Sequence, residues 1–149
     1  MNTIFNDTQR ENLIKRIGLL TETKTPRWGK MNVCQMLEHL NLTNEYFLGK
    51  DGKKGKQSFW GKILGKIVLK RLTGEKPMPI NLPTMKNYKA QETSSDFDFQ
   101  KNKCIGLVKD FEHFNNDDFI HDFFGKITRE QVGILAYKHC DHHLRQFGV

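Results

Sequence analysis

The stretch TREQVGILAYKHCDHHLRQFG, residues 128–148, governs how the rest of the chain is read. Thr128-x-x-Gln131 is a capping box, and the residues after it predict a helix over about 129–146. At about 100° per residue, Val132, Leu135, Ala136, His139, His143 and Gln146 share one face. The two histidines lie about 40° apart around the axis and one turn apart along it, in the middle of the core stripe. A core helix ordinarily carries Leu or Ile there, because buried imidazoles without strong partners are costly. One partner is a metal ion, on which neutral imidazole nitrogens at i and i+4 can converge. Carboxylates or water are the other.

Two ligands seldom hold a metal, so a third is expected from a facing helix. Asn32-x-x-Gln35 opens a second helix whose apolar stripe is Val33, Met36, Leu37, Leu40 and Phe47, ending near Gly49. His39 stands at the edge of that stripe beside Gln35, Thr43 and Tyr46, an edge suited to a cleft between helices. His39, His139 and His143 are therefore the candidate metal ligands, with Gln146, His121 and Gln35 as candidate pocket-lining residues. His142 falls off the stripe and is expected to be partly exposed, and His113 to face solvent. His121, next to Phe123 and Phe124, either lines the pocket or anchors a loop. Glu38 points to a different face from His39 and is no obvious general base.

Outward from these two helices, Thr8-x-x-Glu11 reads as a capping box, followed by Leu13, Ile14, Ile17 and Leu20, a helix over about 9–20. A third amphipathic segment, about 58–73, sets Trp60, Ile63, Leu64, Ile67 and Val68 against Lys62, Lys66 and Lys70, with Arg71 out of pattern. Gly74 to Ser95, with Pro77, Pro79 and Pro83, reads as an extended connection long enough to cover a cleft. Cys104, Leu107, Val108, Phe111 and Phe114 mark a helix over about 99–114. No period-two pattern is convincing. The expected fold is all-α: one domain over residues 1–149, a four-helix bundle with an additional helix or insertion.

Composition agrees with an ordinary globular protein, at 37% hydrophobic and 28% charged residues. Cys34, Cys104 and Cys140 are odd in number and form no CxxC pair, so neither a disulfide framework nor a cysteine zinc site is indicated. Cys140 reads as a small buried filler, and Trp28 and Trp60 as core or groove-lining residues. The polar start at Asn2, Asn6 and Asp7 lacks the apolar core of a signal peptide, and a cytoplasmic protein is expected. The net charge of +7 is local: residues 50–76 hold nine Lys/Arg against two Asp/Glu, and the remainder holds 15 of each sign. Residues 53–71 (KKGKQSFWGKILGKIVLKR) have the pattern of a basic amphipathic helix that lies on an anionic membrane or a partner. The preferred reading is a bundle helix with its apolar side buried and its lysines in water. No recognised nucleic-acid motif accompanies it, and a nucleic-acid partner is not expected.

The motifs Arg27-Trp28-Gly29-Lys30-Met31-Asn32, Gln35-Met36-Leu37-x-His39 and Tyr137-Lys138-His139-Cys140-Asp141-His142-His143-Leu144-Arg145-Gln146-Phe147-Gly148 resemble one branch of the DinB-like (YfiT-like) superfamily of metalloenzymes, itself a domain of unknown function. The resemblance covers nearly the whole chain. It implies a four-helix bundle with one histidine from the second helix and two, spaced HxxxH, from the last, positions filled here by His39, His139 and His143. Gln146 matches a glutamine three residues after the final histidine. Asp122 departs from the branch, which carries proline there, and leaves the loop geometry around His121 open.

Three histidines leave open coordination positions, as in catalytic sites, and all-imidazole ligation suits Zn, Ni, Fe or Mn. The resemblance implies metal-assisted transfer with a low-molecular-weight thiol and a small-molecule substrate. A metal-dependent hydrolase or amidase is the alternative enzyme, and a non-catalytic binding module using residues 53–71 the alternative from another class. A homodimer, frequent among relatives, is left open.

Overall fold

The computed structural model describes residues 1–80, 82, 90 and 96–149. Among these, five α-helices are started by local capping chemistry: α1 (Asp7–Gly18), α2 (Val33–Leu48), α3 (Phe59–Leu72), α4 (Phe97–Asp110) and α5 (Arg129–Gln146). The boxes expected at Asn32/Gln35 and Thr128/Gln131 are both formed. Gly49, at φ 70°, ends α2 in the left-handed conformation that glycine adopts without a Cβ penalty. The first helix corrects the expectation. Its cap is Asn6, which accepts from the Gln9 N–H at 3.1 Å, and α1 starts two residues earlier than Thr8-x-x-Glu11 implied. Gln9 accepts in turn from the Thr3 N–H at 2.6 Å, so a polar tie to the preceding residues sets the start.

Helices α1, α2, α4 and α5 pack around one core and form the bundle. Leu13 and Ile17, Met36, Leu37 and Leu40, Cys104 and Val108, and Ala136 and Leu144 are fully buried, each pair or trio from a different helix. Removing a dozen such side chains from water is the main stabilising term, at about 1.5–3 kcal/mol each. Polar ties fix the arrangement. Asn41 on α2 donates to the Gln100 backbone and side-chain oxygens on α4 at 3.0 and 2.7 Å, and Arg16 on α1 pairs with Asp141 on α5 at 2.8 Å. After α4, a 3-10 turn (Phe111–His113) and a two-residue ladder, β1 (Ile120–His121) with β2 (Gly125–Lys126), lead into α5. The ladder is too short to show a periodic pattern, which explains why no strand was expected.

The additional helix is α3, and it is seated the other way round from the expectation. Its packing face is Gly61, Gly65, Leu69 and Leu72. A Cβ at Gly61 would lie 2.2 Å from the Phe123 carbonyl oxygen, and one at Gly65 would lie 2.6 Å from it. The helix backbone therefore lies against the Phe123–Phe124 loop through its glycines, and Trp60, Ile63, Leu64 and Ile67 face outward. The reading of a bundle helix with a buried apolar side is overturned, and Trp60 is neither core nor groove-lining. Lys138 of α5 fastens the other end, donating to the carbonyls of Leu72, Gly74 and Lys76 at 2.6, 2.7 and 2.7 Å. The connection expected over Gly74 to Ser95 falls largely, with Pro83, outside the described residues. Among the described residues no helix is long and apolar enough to cross a membrane.

Candidate metal centre

His39 near the middle of α2 and His139 and His143 on successive turns of α5 point into the same space. One ring nitrogen from each lies within 4.8 Å of the other two. The three rings form a nearly equilateral triangle, with centroids 4.8–4.9 Å apart and each pair edge-to-face. His39 Nε2 and His139 Nε2 stand 3.0 Å apart. His39 and His143 are buried.

The orientation of His143 is over-determined. Gln146 Nε2 donates to the Trp28 carbonyl at 2.6 Å, which turns its Oε1 toward His143 Nδ1 at 2.8 Å. That oxygen can only accept, so Nδ1 carries the ring proton and Nε2 keeps its lone pair. The Arg27–Lys30 turn holds the other end of this chain of bonds. Gly29 has φ 81°, and a Cβ there would lie 2.6 Å from Gln146 Nε2, so a side chain at this position would displace the amide. The motif residues Trp28, Gly29 and Gln146 thus act together on one imidazole.

Electrostatics keeps the His139 and His143 rings neutral. Burial pushes His143 down to about 3, helped by His39 nearby and opposed by the Gln146 hydrogen bond. Burial likewise holds His139 well below the ordinary histidine range, with His143, His39 and His142 adding to it. Neutral imidazole is the form that offers a lone pair to a metal. A hydrogen bond between His39 and His139 would satisfy one pair of nitrogens. His143 Nε2, with its lone pair, offers a third nitrogen to the same space, and one cation could accept all three.

The triad forms one wall of a cavity of about 740 Å³. Thr43, Tyr46 and Phe47 of α2, Val68 and Leu72 of α3, and Leu135 of α5 line it. Trp28, Met78, His121 and Phe124 complete much of the remainder. His121 both lines the cavity and anchors the loop: its Nδ1 accepts from the Phe123 and Phe124 N–H groups at 3.0 and 3.2 Å, and its ring stacks on Phe124 at 4.2 Å. Burial lowers it to about 4. Gln35 belongs elsewhere. Its side-chain oxygen accepts from the Asn32 N–H at 3.0 Å, so it caps α2 and is not part of the cavity wall. His113 is exposed, as expected.

His142 corrects the expectation of a partly exposed residue. It is buried, lines the cavity, and lies edge-on to Trp28 at 5.6 Å and to His143 at 5.1 Å. Its place about 100° from His143 around the helix would suggest solvent, but the Arg27–Lys30 turn and Met78 enclose that flank. The signal available was the HH dipeptide together with Trp28, which the turn brings over the helix. Cys140 is the buried filler expected, 3.9 Å from Asn44 of α2, and burial pushes its thiol up to about 12.

No curated protein and no solved structure matches the chain. A family described as "Protein of unknown function (DUF1569)" matches residues 5–148, which include the triad, Trp28, Gln146 and the whole bundle. The chain belongs to that family of unknown function.

Proposed function

We propose that His39, His139 and His143 hold one divalent metal ion and that the protein is a metal-dependent enzyme acting on a small molecule in the adjoining cavity. The observation that carries this reading is the convergence of three imidazoles, two of them held neutral by burial and one of these fixed by Gln146 with its lone pair inward. Metal–imidazole bonds of about 2.0–2.1 Å require ligand nitrogens roughly 3–3.5 Å apart. The His39–His139 pair at 3.0 Å fits, and the third nitrogen, within 4.8 Å, needs a small side-chain rotation. The donor set suits Zn, Ni, Fe or Mn. A bound ion would supply Lewis acidity, which acidifies a coordinated thiol or water.

The chain's own residues do the rest. Phe47, Val68, Leu72, Leu135 and Phe124 present an apolar wall that excludes water and fits a substrate with an apolar portion. Among the described lining residues the polar groups are imidazole, indole N–H, hydroxyl, amide and lysine, with no carboxylate. A low-molecular-weight thiol or a water, ionised by a bound metal, would need no carboxylate base to attack; the apolar wall and the resemblance to thiol-dependent DinB-like enzymes favour thiol transfer, with a metal-dependent hydrolase as the alternative. The resemblance to the DinB-like metalloenzymes supports this reading, through one histidine from the second bundle helix and an HxxxH pair from the last. The buried thiols Cys104 and Cys140 suit the reducing cytoplasm.

The test is a matrix of the four metals against low-molecular-weight thiols and an electrophilic acceptor, read as thiol consumption. Turnover that needs both metal and thiol and is lost in His143→Ala supports the reading. Thiol consumption unchanged by chelator or by His143→Ala would refute it.

A further inference from the structure

Helix α3 has three faces. At about 100° per residue, Gly61, Gly65, Leu69 and Leu72 fill the arc that packs on the protein. Phe59, Trp60, Ile63, Leu64 and Ile67 occupy an arc of roughly 140° pointing away from it. They are 70, 65, 53, 44 and 69% exposed. Lys62 and Lys66 flank the apolar arc and Lys70 follows them at its edge, while Arg71 falls within the arc in the last turn, where its long side chain can reach back to the headgroups. Five large apolar side chains together on one helix form a patch beyond what scattered surface residues explain.

We propose that α3 seats the protein on an anionic lipid bilayer, with Phe59, Trp60, Ile63 and Ile67 entering the headgroup–acyl boundary and the lysine row lying among the lipid phosphates. Three observations choose this occupant. The entire net charge of +7 resides in residues 50–76, the segment that contains this helix. Each such lysine or arginine near an anionic leaflet adds attraction. The aromatic pair Phe59–Trp60, in edge contact at 5.7 Å, stands at the start of the helix, where an amphipathic aromatic suits the interface. A second copy of this chain fits poorly, because a two-fold contact centred on α3 would bring two +7 segments together.

The orientation has a consequence for the cavity. On the flank opposite the lysines, Leu64 leads to Val68 and Leu72, and these two line the cavity beside the histidines. The apolar face and the cavity wall are therefore continuous, and lipid contact sets the Val68 edge of the cavity toward the bilayer. The seating of α3 stands whether or not a metal occupies the triad.

The experiment is co-sedimentation of the full chain with vesicles of phosphatidylcholine alone or with roughly one-third phosphatidylglycerol. Tryptophan emission and size-exclusion chromatography accompany it. Binding to the anionic vesicles only, with a blue shift and weakening as salt rises, is expected. Trp60→Ser/Ile63→Ser/Ile67→Ser should reduce affinity by about tenfold or more at unchanged thermal stability. Lys62→Gln/Lys66→Gln/Lys70→Gln should abolish the preference for anionic lipid. Failure to bind, or binding that survives the apolar triple substitution, would overturn the proposal. A dimer that Ile63→Ser/Ile67→Ser makes monomeric, with no vesicle binding, would assign the face to a second copy instead.

Discussion

Replacing Gln146 by leucine should weaken the metal centre without touching a ligand. The side chain is almost fully buried and joins two groups, accepting from His143 Nδ1–H at 2.8 Å and donating to the Trp28 carbonyl at 2.6 Å. Leucine leaves both without a partner. An unsatisfied buried polar group costs about 1–3 kcal/mol, so the metal-free protein should lose about 2–4 kcal/mol of stability, water relieving part of the cost at Trp28. Loss of a hydrogen bond that orients a metal-bound histidine lowers affinity by about 10–100-fold, equivalent to roughly 1.4–2.8 kcal/mol. Competition against a chromophoric chelator measures the second quantity, and urea unfolding of metal-free protein the first. Gln146→Glu separates them. Its carboxylate still accepts from His143 and increases the ring's basicity, but opposes the Trp28 carbonyl with a second oxygen. Affinity should hold or rise while stability falls. A leucine variant binding metal within about twofold of wild type would refute the reasoning about tautomer and orientation.

Two further expectations concern the loop and the additional helix. His121 has a lower pKa folded, about 4, than unfolded, about 6.5, so the unfolded chain binds more protons between these values. Its contribution to stability is complete above pH 6.5 and is lost as pH falls toward 4, by up to about 3 kcal/mol. In urea unfolding at a series of pH values, His121→Asn should flatten the acid limb by that amount; an unchanged slope would count against the burial argument. Gly61→Ala should destabilise by about 1–3 kcal/mol, because the new Cβ meets the Phe123 carbonyl at 2.2 Å and backbone cannot give way cheaply. Gly106→Ala in α4, where nothing lies within 4 Å of the new Cβ, should instead stabilise by about 0.5–1 kcal/mol. Equal effects at the two positions would contradict the seating of α3.

The contrast between those glycines also explains what could be read from the amino-acid sequence. Helices α2 and α5 were legible because their evidence is local: two complete capping boxes, a glycine stop, and apolar side chains at helical spacing that do face the core. The meeting of His39 with His139 and His143 followed from the same stripes. Helix α3 defeated this reasoning because hydrophobic periodicity assumes that large side chains mark the buried face. Here Gly61 and Gly65 do so in the first half of the helix, since the partner there is loop backbone that admits no Cβ, and nothing in residues 58–73 alone reveals the Phe123–Phe124 loop. His142 was misjudged for a related reason: the Arg27–Lys30 turn, distant in sequence, covers a flank the helical wheel leaves open. Gln35 was placed by adjacency to His39, although its capping role was already written in Asn32-x-x-Gln35.

Elemental analysis of protein purified without a histidine tag tests the central claim most directly, comparing wild type with His39→Ala and with His139→Ala/His143→Ala. Close to one divalent ion per chain is expected in wild type, and little or none in either variant, with helical content retained. Absence of metal from wild type even after reconstitution with Zn, Ni, Fe and Mn, or full occupancy in His39→Ala, would contradict that claim.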